Sequence, residues 1–174
     1  MRKIITFLAL IIISLFITAG KVSADPYVAD ASATLKSTQA GSDYRVGILR
    51  KYLESHNSPL TDYADEFIFY ADKYNLDWRL VPAISGVEST FGKRIPLNSF
   101  NAYGWANGEY RFTSWENSIE IVSKTLREKY LNKGAVTINQ IARRYAPPSS
   151  TWAGKVRFFM RKIEPFPVAF SLEV

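Results

Sequence analysis

Between residues 43 and 163, apolar side chains recur three and four positions apart, the period of helices laid against a core. The stretch Asp43 to Ser55 sets Val46, Leu49, Tyr52 and Leu53 at helical spacing. Thr61 to Tyr74 opens on a cap residue and gathers Tyr63, Phe67, Tyr70, Ala71 and Tyr74 on one face. A third helix is expected from about Trp78 to Phe91, with Asp77 as its cap. Pro82 lies near its start, where a missing backbone donor is tolerated, and the true start can fall closer to that proline. The fourth begins at Thr113-Ser114-Trp115-Glu116, a capping-box pattern. It turns Ile119, Val122, Leu126 and Tyr130 inward, and Gly134 stops it. Two short helices close the pattern. Ile138 to Tyr145 is capped by Thr137 and ended by Pro147-Pro148, and Thr151 to Ile163 is ended by Pro165.

Between the third and fourth helices the period changes. Asn107-Gly108 separates Tyr103-Gly104-Trp105-Ala106 from Glu109-Tyr110-Arg111-Phe112. An Asn-Gly pair between β-formers predicts a hairpin. The expected fold is mainly α, a helical domain with one small β-hairpin after its central helix.

The N-terminus adds a different kind of segment. Arg2 and Lys3 precede an almost wholly apolar run from Ile4 to Ala19, followed by Val22-Ser23-Ala24. This is the layout of a secretory signal peptide, with cleavage expected after Ala24. The alternative is a retained membrane anchor, although a full span needs about 20 apolar residues. Residues 25–42, rich in Ala, Ser, Thr and Gly, read as a flexible tether. Residues 43–174 form the expected domain, and a secreted, wall-associated protein is the expectation.

Cleavage leaves 150 residues with a net charge of +3, enough chain for one domain with a core. The absence of cysteine excludes disulfides and a cysteine-linked lipid anchor. A mildly basic balance suits contact with an anionic wall polymer. No Lys/Arg cluster is dense enough to suggest nucleic acid, and stable membrane insertion after cleavage is not expected. His56 is the only histidine, which rules out a His-rich zinc site and argues against a Ser-His triad. It lies beside Asn57 and Ser58 and reads as solvated. Neither a metal nor a cofactor is called for, and a monomer is expected.

The candidate chemistry centres on Glu88, among Ile84, Val87 and Phe91, in the last turn before Gly92. Apolar neighbours and the negative end of the helix dipole both disfavour the charged form. A neutral carboxyl at a cleft is what glycoside cleavage needs, because the leaving oxygen must receive a proton. The competing reading puts Glu88 on a solvated face, neutralised by Lys93 and Arg94.

The surrounding motifs bear on that choice. Val81-Pro82-Ala83-Ile84 followed by Glu88-Ser89-Thr90-Phe91 resembles the Glu-Ser-x-Phe motif of the lysozyme-like superfamily. That superfamily includes soluble lytic transglycosylases and bacterial endo-β-N-acetylglucosaminidases. Asn98 to Trp105 resembles the Asn-x-Phe/Tyr-Gly segment of the glucosaminidase branch, and Phe112 to Ile119 its aromatic-Ser-aromatic-Glu helix start. Ile141 to Pro147, with Trp152-Ala153-Gly154-Lys155-Val156, resembles its closing segment. The resemblance spans roughly residues 61–163. The Gly-Leu-Met-Gln segment of typical lytic transglycosylases is absent.

This resemblance implies a lysozyme-like fold and cleavage of β-1,4 bonds in peptidoglycan glycan strands, with Glu88 as general acid. It also implies that Tyr145 lines the cleft and can hydrogen-bond the reacting sugar; a plain core role is the alternative. Tyr103 and Trp105 would be stacking surfaces, or hairpin packing. Asn101 would bind an acetamido group, or shape a turn. Ser89 would orient the acid, or satisfy the helix end, and Phe91 joins the substrate-binding set through the motif. For a second carboxylate, Glu109 is the best candidate by position, since Glu116 reads as a capping-box residue and Asp77 as a cap. Otherwise the N-acetyl group of the substrate acts as nucleophile. Hydrolysis, transglycosylation and binding without turnover all stay open.

Overall fold

The computed structural model describes residues 43–147 and 149–164. The expected signal peptide, the tether and the Pro165 stop lie outside these residues. Among the described residues, no helix is long and apolar enough to cross a membrane.

Six α-helices form the described domain: α1 (Tyr44–Ser55), α2 (Ala64–Lys73), α3 (Leu80–Ser89), α4 (Trp115–Thr125), α5 (Ile138–Tyr145) and α6 (Trp152–Ile163). Their starts follow local chemistry. The Asp43 carboxylate accepts from Arg45 N ahead of α1, and Thr137 with Gln140 makes a full capping box on α5. Ser114 caps α4 by accepting from Asn117 N. Asn117, not Glu116, completes that cap, its Oδ1 accepting from Thr113 N. Glu116 is exposed in the first turn, where the helix dipole favours a carboxylate. Thr61 does not cap α2; residues Thr61–Tyr63 form a 3-10 turn in front of it. Asp77 accepts from Arg79 N just before α3, and Pro82 occupies the third helical position.

The central helix is α3. Every residue from Leu80 to Gly86 is buried, the pattern of a helix covered on all sides. It packs most extensively on α6 and also touches α2 and α4. Gly86 lets the Phe91 ring lie directly on the helix, since a Cβ there would stand 2.6 Å from Phe91 Cε1. The Phe91 ring also meets Tyr52, Phe159 and His56 edge-on or tilted. His56 is therefore not solvated: it caps the end of α1, its Nδ1 2.8 Å from Tyr52 O. The core continues through Leu49, Leu53, Phe67, Ile84, Ile119, Val122 and Val156, all at most 1 % exposed. Each such side chain contributes roughly 2 kcal/mol of burial.

The expected hairpin is not formed, and no strand occurs among the described residues. Residues 105–108 make a tight turn with Ala106 and Asn107 both at positive φ. Gly108 follows at positive φ as well, so a run of three left-handed residues replaces the two-residue turn that the Asn-Gly reading predicts. Positive φ also recurs at Asn98, Phe100 and Gly104, which breaks any extended run. Asn101 takes the backbone groups that a ladder would have used. Its Nδ2 donates to Trp105 O and Tyr110 O, and its Oδ1 accepts from Trp105 N and Tyr103 N. With Phe112 N donating to Ser99 O at 2.9 Å, the segment closes on itself as a compact loop.

Candidate active site

The turn after α3 carries the first element of the site. Thr90, Phe91 and Gly92 all hold positive φ, so the chain reverses directly behind Glu88. Ser89 secures the reversal. Its hydroxyl donates to Ser85 O and Ala102 O and accepts from Gly92 N, all within 2.9 Å. Ser58 adds a second tie by donating to Phe91 O at 2.8 Å. The non-glycine left-handed residues cost about 1–2 kcal/mol each, strain that this bonding and the buried Phe91 ring hold in place. Ser89 thus satisfies the helix end and fastens the following loop to it.

Glu88 is half-buried in the last turn of α3. Trp152, the first residue of α6, donates from Nε1 to Glu88 Oε1 at 2.6 Å. Burial pushes the Glu88 carboxyl above the ordinary glutamate range. The Trp152 hydrogen bond and the Lys155 charge pull it down without overcoming that burial. An indole nitrogen only donates. Oε1 must therefore stay an acceptor, and the proton of neutral Glu88 belongs on Oε2. Oε2 points at Gly104, where a Cβ would stand 2.7 Å from it. Gly104 holds φ +71 and leaves that space open.

A groove of about 390 Å³ begins at Gly104 and is lined by Trp105, Ala106, Asn107, Thr125, Tyr130 and Tyr145. Glu88 stands at its border, against Gly104. Tyr145 donates to Tyr103 O at 2.7 Å and stacks on Trp152, centroids 5.0 Å apart. Burial, then the nearby Glu88 charge, raises the Tyr145 hydroxyl well above the ordinary tyrosine range. This phenol is therefore a neutral donor. The Trp105 ring packs against Tyr110 and Phe112 and borders the groove.

The anticipated residues separate into two groups. Tyr145 and Trp105 line the groove, and Glu88, which is not among its lining residues, adjoins it through Gly104. Tyr103 and Phe91 are buried, at 0 % and 1 % exposure, so neither offers a ring for stacking. Asn101 is 3 % exposed with its amide engaged by the loop backbone, which is the turn-shaping role and not acetamido binding. Glu109 is exposed just past the 105–108 turn and does not line the groove.

Sequence reasoning missed Trp152, Gly104 and Tyr130. Trp152 lies 64 residues from its partner. Tyr130 ends a π-helical turn, Leu126–Tyr130, that extends α4; such turns are frequent at functional sites but have no sequence signal of their own. Gly104 was in view as a hairpin residue and within the Asn98 to Trp105 segment, but without a role beside Glu88. Among the described residues, no group of three or more His, Cys, Asp or Glu could hold a metal ion. Compared with protein-family models and with curated proteins, the chain matches none.

Proposed function

We propose that the protein is a secreted peptidoglycan hydrolase that cleaves β-1,4 glycosidic bonds, of the endo-β-N-acetylglucosaminidase type, with Glu88 as general acid. The observation that carries this reading is the Glu88 carboxyl itself. It is desolvated, held through Oε1 by Trp152, and presents Oε2 beside Gly104 at an aromatic-lined groove. Flat faces such as Trp105 and Tyr130 suit the apolar faces of sugar rings. The resemblance of the Glu88-Ser89-Thr90-Phe91 segment to lysozyme-like enzymes adds to this support.

Chemistry proceeds with one protein carboxyl. Glu88 Oε2 gives its proton to the bridging oxygen as the C1–O bond breaks. A two-carboxylate route needs a second acid about 5–10 Å away. Glu109 is exposed and does not line the groove that opens at Gly104 beside Glu88. This placement favours the acetamido group of the substrate as nucleophile, its carbonyl oxygen bonding to C1 while the leaving sugar departs as an alcohol. Water then attacks C1 and yields its proton to the Glu88 carboxylate, which restores the acid and frees the acetamido group. Tyr145 keeps the loop carbonyl of Tyr103 in place and helps line the groove.

Zymography on purified wall with wild type and Glu88→Gln tests the assignment: clearing by the wild type alone is expected, and equal clearing by both rejects it. Mass spectrometry of released fragments reads the bond. Reducing N-acetylglucosamine ends are expected; anhydro ends would move the assignment to a lytic transglycosylase.

A further inference from the structure

Charge is unevenly divided along the folded chain. Residues 43–120 carry 11 acidic and 8 basic side chains, whereas residues 121–163 carry ten basic side chains and a single acid, Glu128. The ion pairs follow the same division. Every paired cation among the described residues, Arg45, Arg50, Lys73 or Arg79, lies in the first half. None of the ten cations of residues 121–163 forms an ion pair there. Surface cations left unneutralised over three adjoining segments raise a local positive potential.

Those segments are physically joined. Arg157 on α6 donates to Asn139 Oδ1 on α5 at 2.7 Å. Arg144 on α5 reaches the carbonyls of Tyr130 and Lys133, at the end of the α4 extension. Between α5 and α6 lies a groove of about 490 Å³ lined by Asn139, Arg143, Ser149, Ser150 and Ala153. It offers a guanidinium fork, two hydroxyls and an amide. That set suits a phosphate flanked by alcohols. Among the described residues of 121–163 the exposed large apolar side chains are Val136 and Phe158, too few to enter a bilayer or to stack a run of bases.

We propose that this α5–α6 face is a docking surface for a flexible polyol-phosphate polymer, a phosphodiester polyanion, which seats in the Arg143 groove and tracks along Arg157 and Arg161. Binding there is separate from Glu88 chemistry and holds whether or not the protein cleaves glycan.

The test is equilibrium binding of the protein to poly(glycerol phosphate) over a salt series. Wild type binds at low salt and weakens steeply as salt rises, since each contact releases counterions. The triple variant Arg143→Gln/Arg157→Gln/Arg161→Gln loses about tenfold or more in affinity, and its salt slope flattens by about 2, as for three contacts to a flexible polyanion. A control with the same charge change on the opposite half, Arg50→Gln/Lys51→Gln/Arg94→Gln, retains binding. Equal loss in both variants overturns the proposal in favour of net charge alone. So does wild-type binding to duplex DNA or to phosphatidylglycerol vesicles as tight as to the polymer. Thermal unfolding of both variants verifies that these exposed substitutions leave the fold intact.

Discussion

Trp152 Nε1–H donates to Glu88 Oε1 across 2.6 Å, joining the first residue of α6 to the last turn of α3. The bond fixes which carboxyl oxygen carries the proton. It also favours the ionised form, so it lowers a pKa that burial has raised. Trp152→Phe keeps a ring in the slot and removes the donor. The Glu88 titration then moves further up, and kcat/KM falls about tenfold or more, as for a lost hydrogen bond to a charged group. A carboxyl-labelled NMR titration reads the first effect without any substrate. An unmoved midpoint would rule out the positioning role even if turnover declined.

Removing the titrating group has two separable consequences. With Glu88 as the proposed acid, Glu88→Gln is expected to abolish proton donation and lower activity by about 10²–10⁴-fold. It should also stabilise the fold at neutral and higher pH. A carboxyl with a raised folded pKa binds its proton more tightly when native, so native stability falls as pH rises from the unfolded to the folded value. Glutamine mimics the neutral form throughout. The Tm gain of the variant is therefore largest above the folded pKa and vanishes as pH drops below the ordinary glutamate range. Thermal scans at pH 4 and pH 8 measure it; equal gains at both would contradict burial as the cause. With Glu88 as the proposed general acid, wild-type activity is expected to show the matching limb, lost as pH rises through that same raised pKa.

Gly104 has two reasons to be glycine. Its φ of +71 disfavours any other side chain, and a Cβ would enter the space in front of Glu88 Oε2. Gly104→Ala is expected to lose about 1–2 kcal/mol of stability. Activity falls far more than that loss explains, because the methyl displaces the acid or its target oxygen. Urea unfolding beside initial rates separates the two; proportional losses would leave Gly104 with only a backbone role.

Asn101 binds the loop together through four contacts to backbone groups. Asn101→Ala strands those groups in a buried setting and should destabilise the protein by about 2–4 kcal/mol. Hydrogen exchange should rise across residues 102–111 before the rest of the domain. Unaltered protection in that segment would show that Phe112 and Ser99 suffice to close it.

Much was legible along the chain because helices are encoded locally. The cap at Thr137 and the stop at Gly134 act within a few positions of themselves, as do the i, i+3, i+4 apolar faces. Glu88 was legible for the same reason: its apolar neighbours and its place in the last turn are local facts. The loop was not. Asn107-Gly108 carries a hairpin signal, yet a hairpin needs two strands to trade backbone bonds, and Asn101 had already claimed the groups concerned. Nothing near Asn101 in sequence distinguishes an amide facing inward from one facing a ligand.

By itself, then, the sequence determined a helical domain with a glutamate in an apolar last turn, because periodicity, capping and local burial depend on residues a few positions apart. The tertiary structure alone decided what stands around that glutamate: Trp152 on one oxygen, the side of Gly104 that lacks a Cβ before the other, and Tyr145 stacked on Trp152. Those placements arise from packing α3 against α6 and folding the loop over its end. Contacts between distant segments are fixed by the shape of the whole core, which no local pattern records.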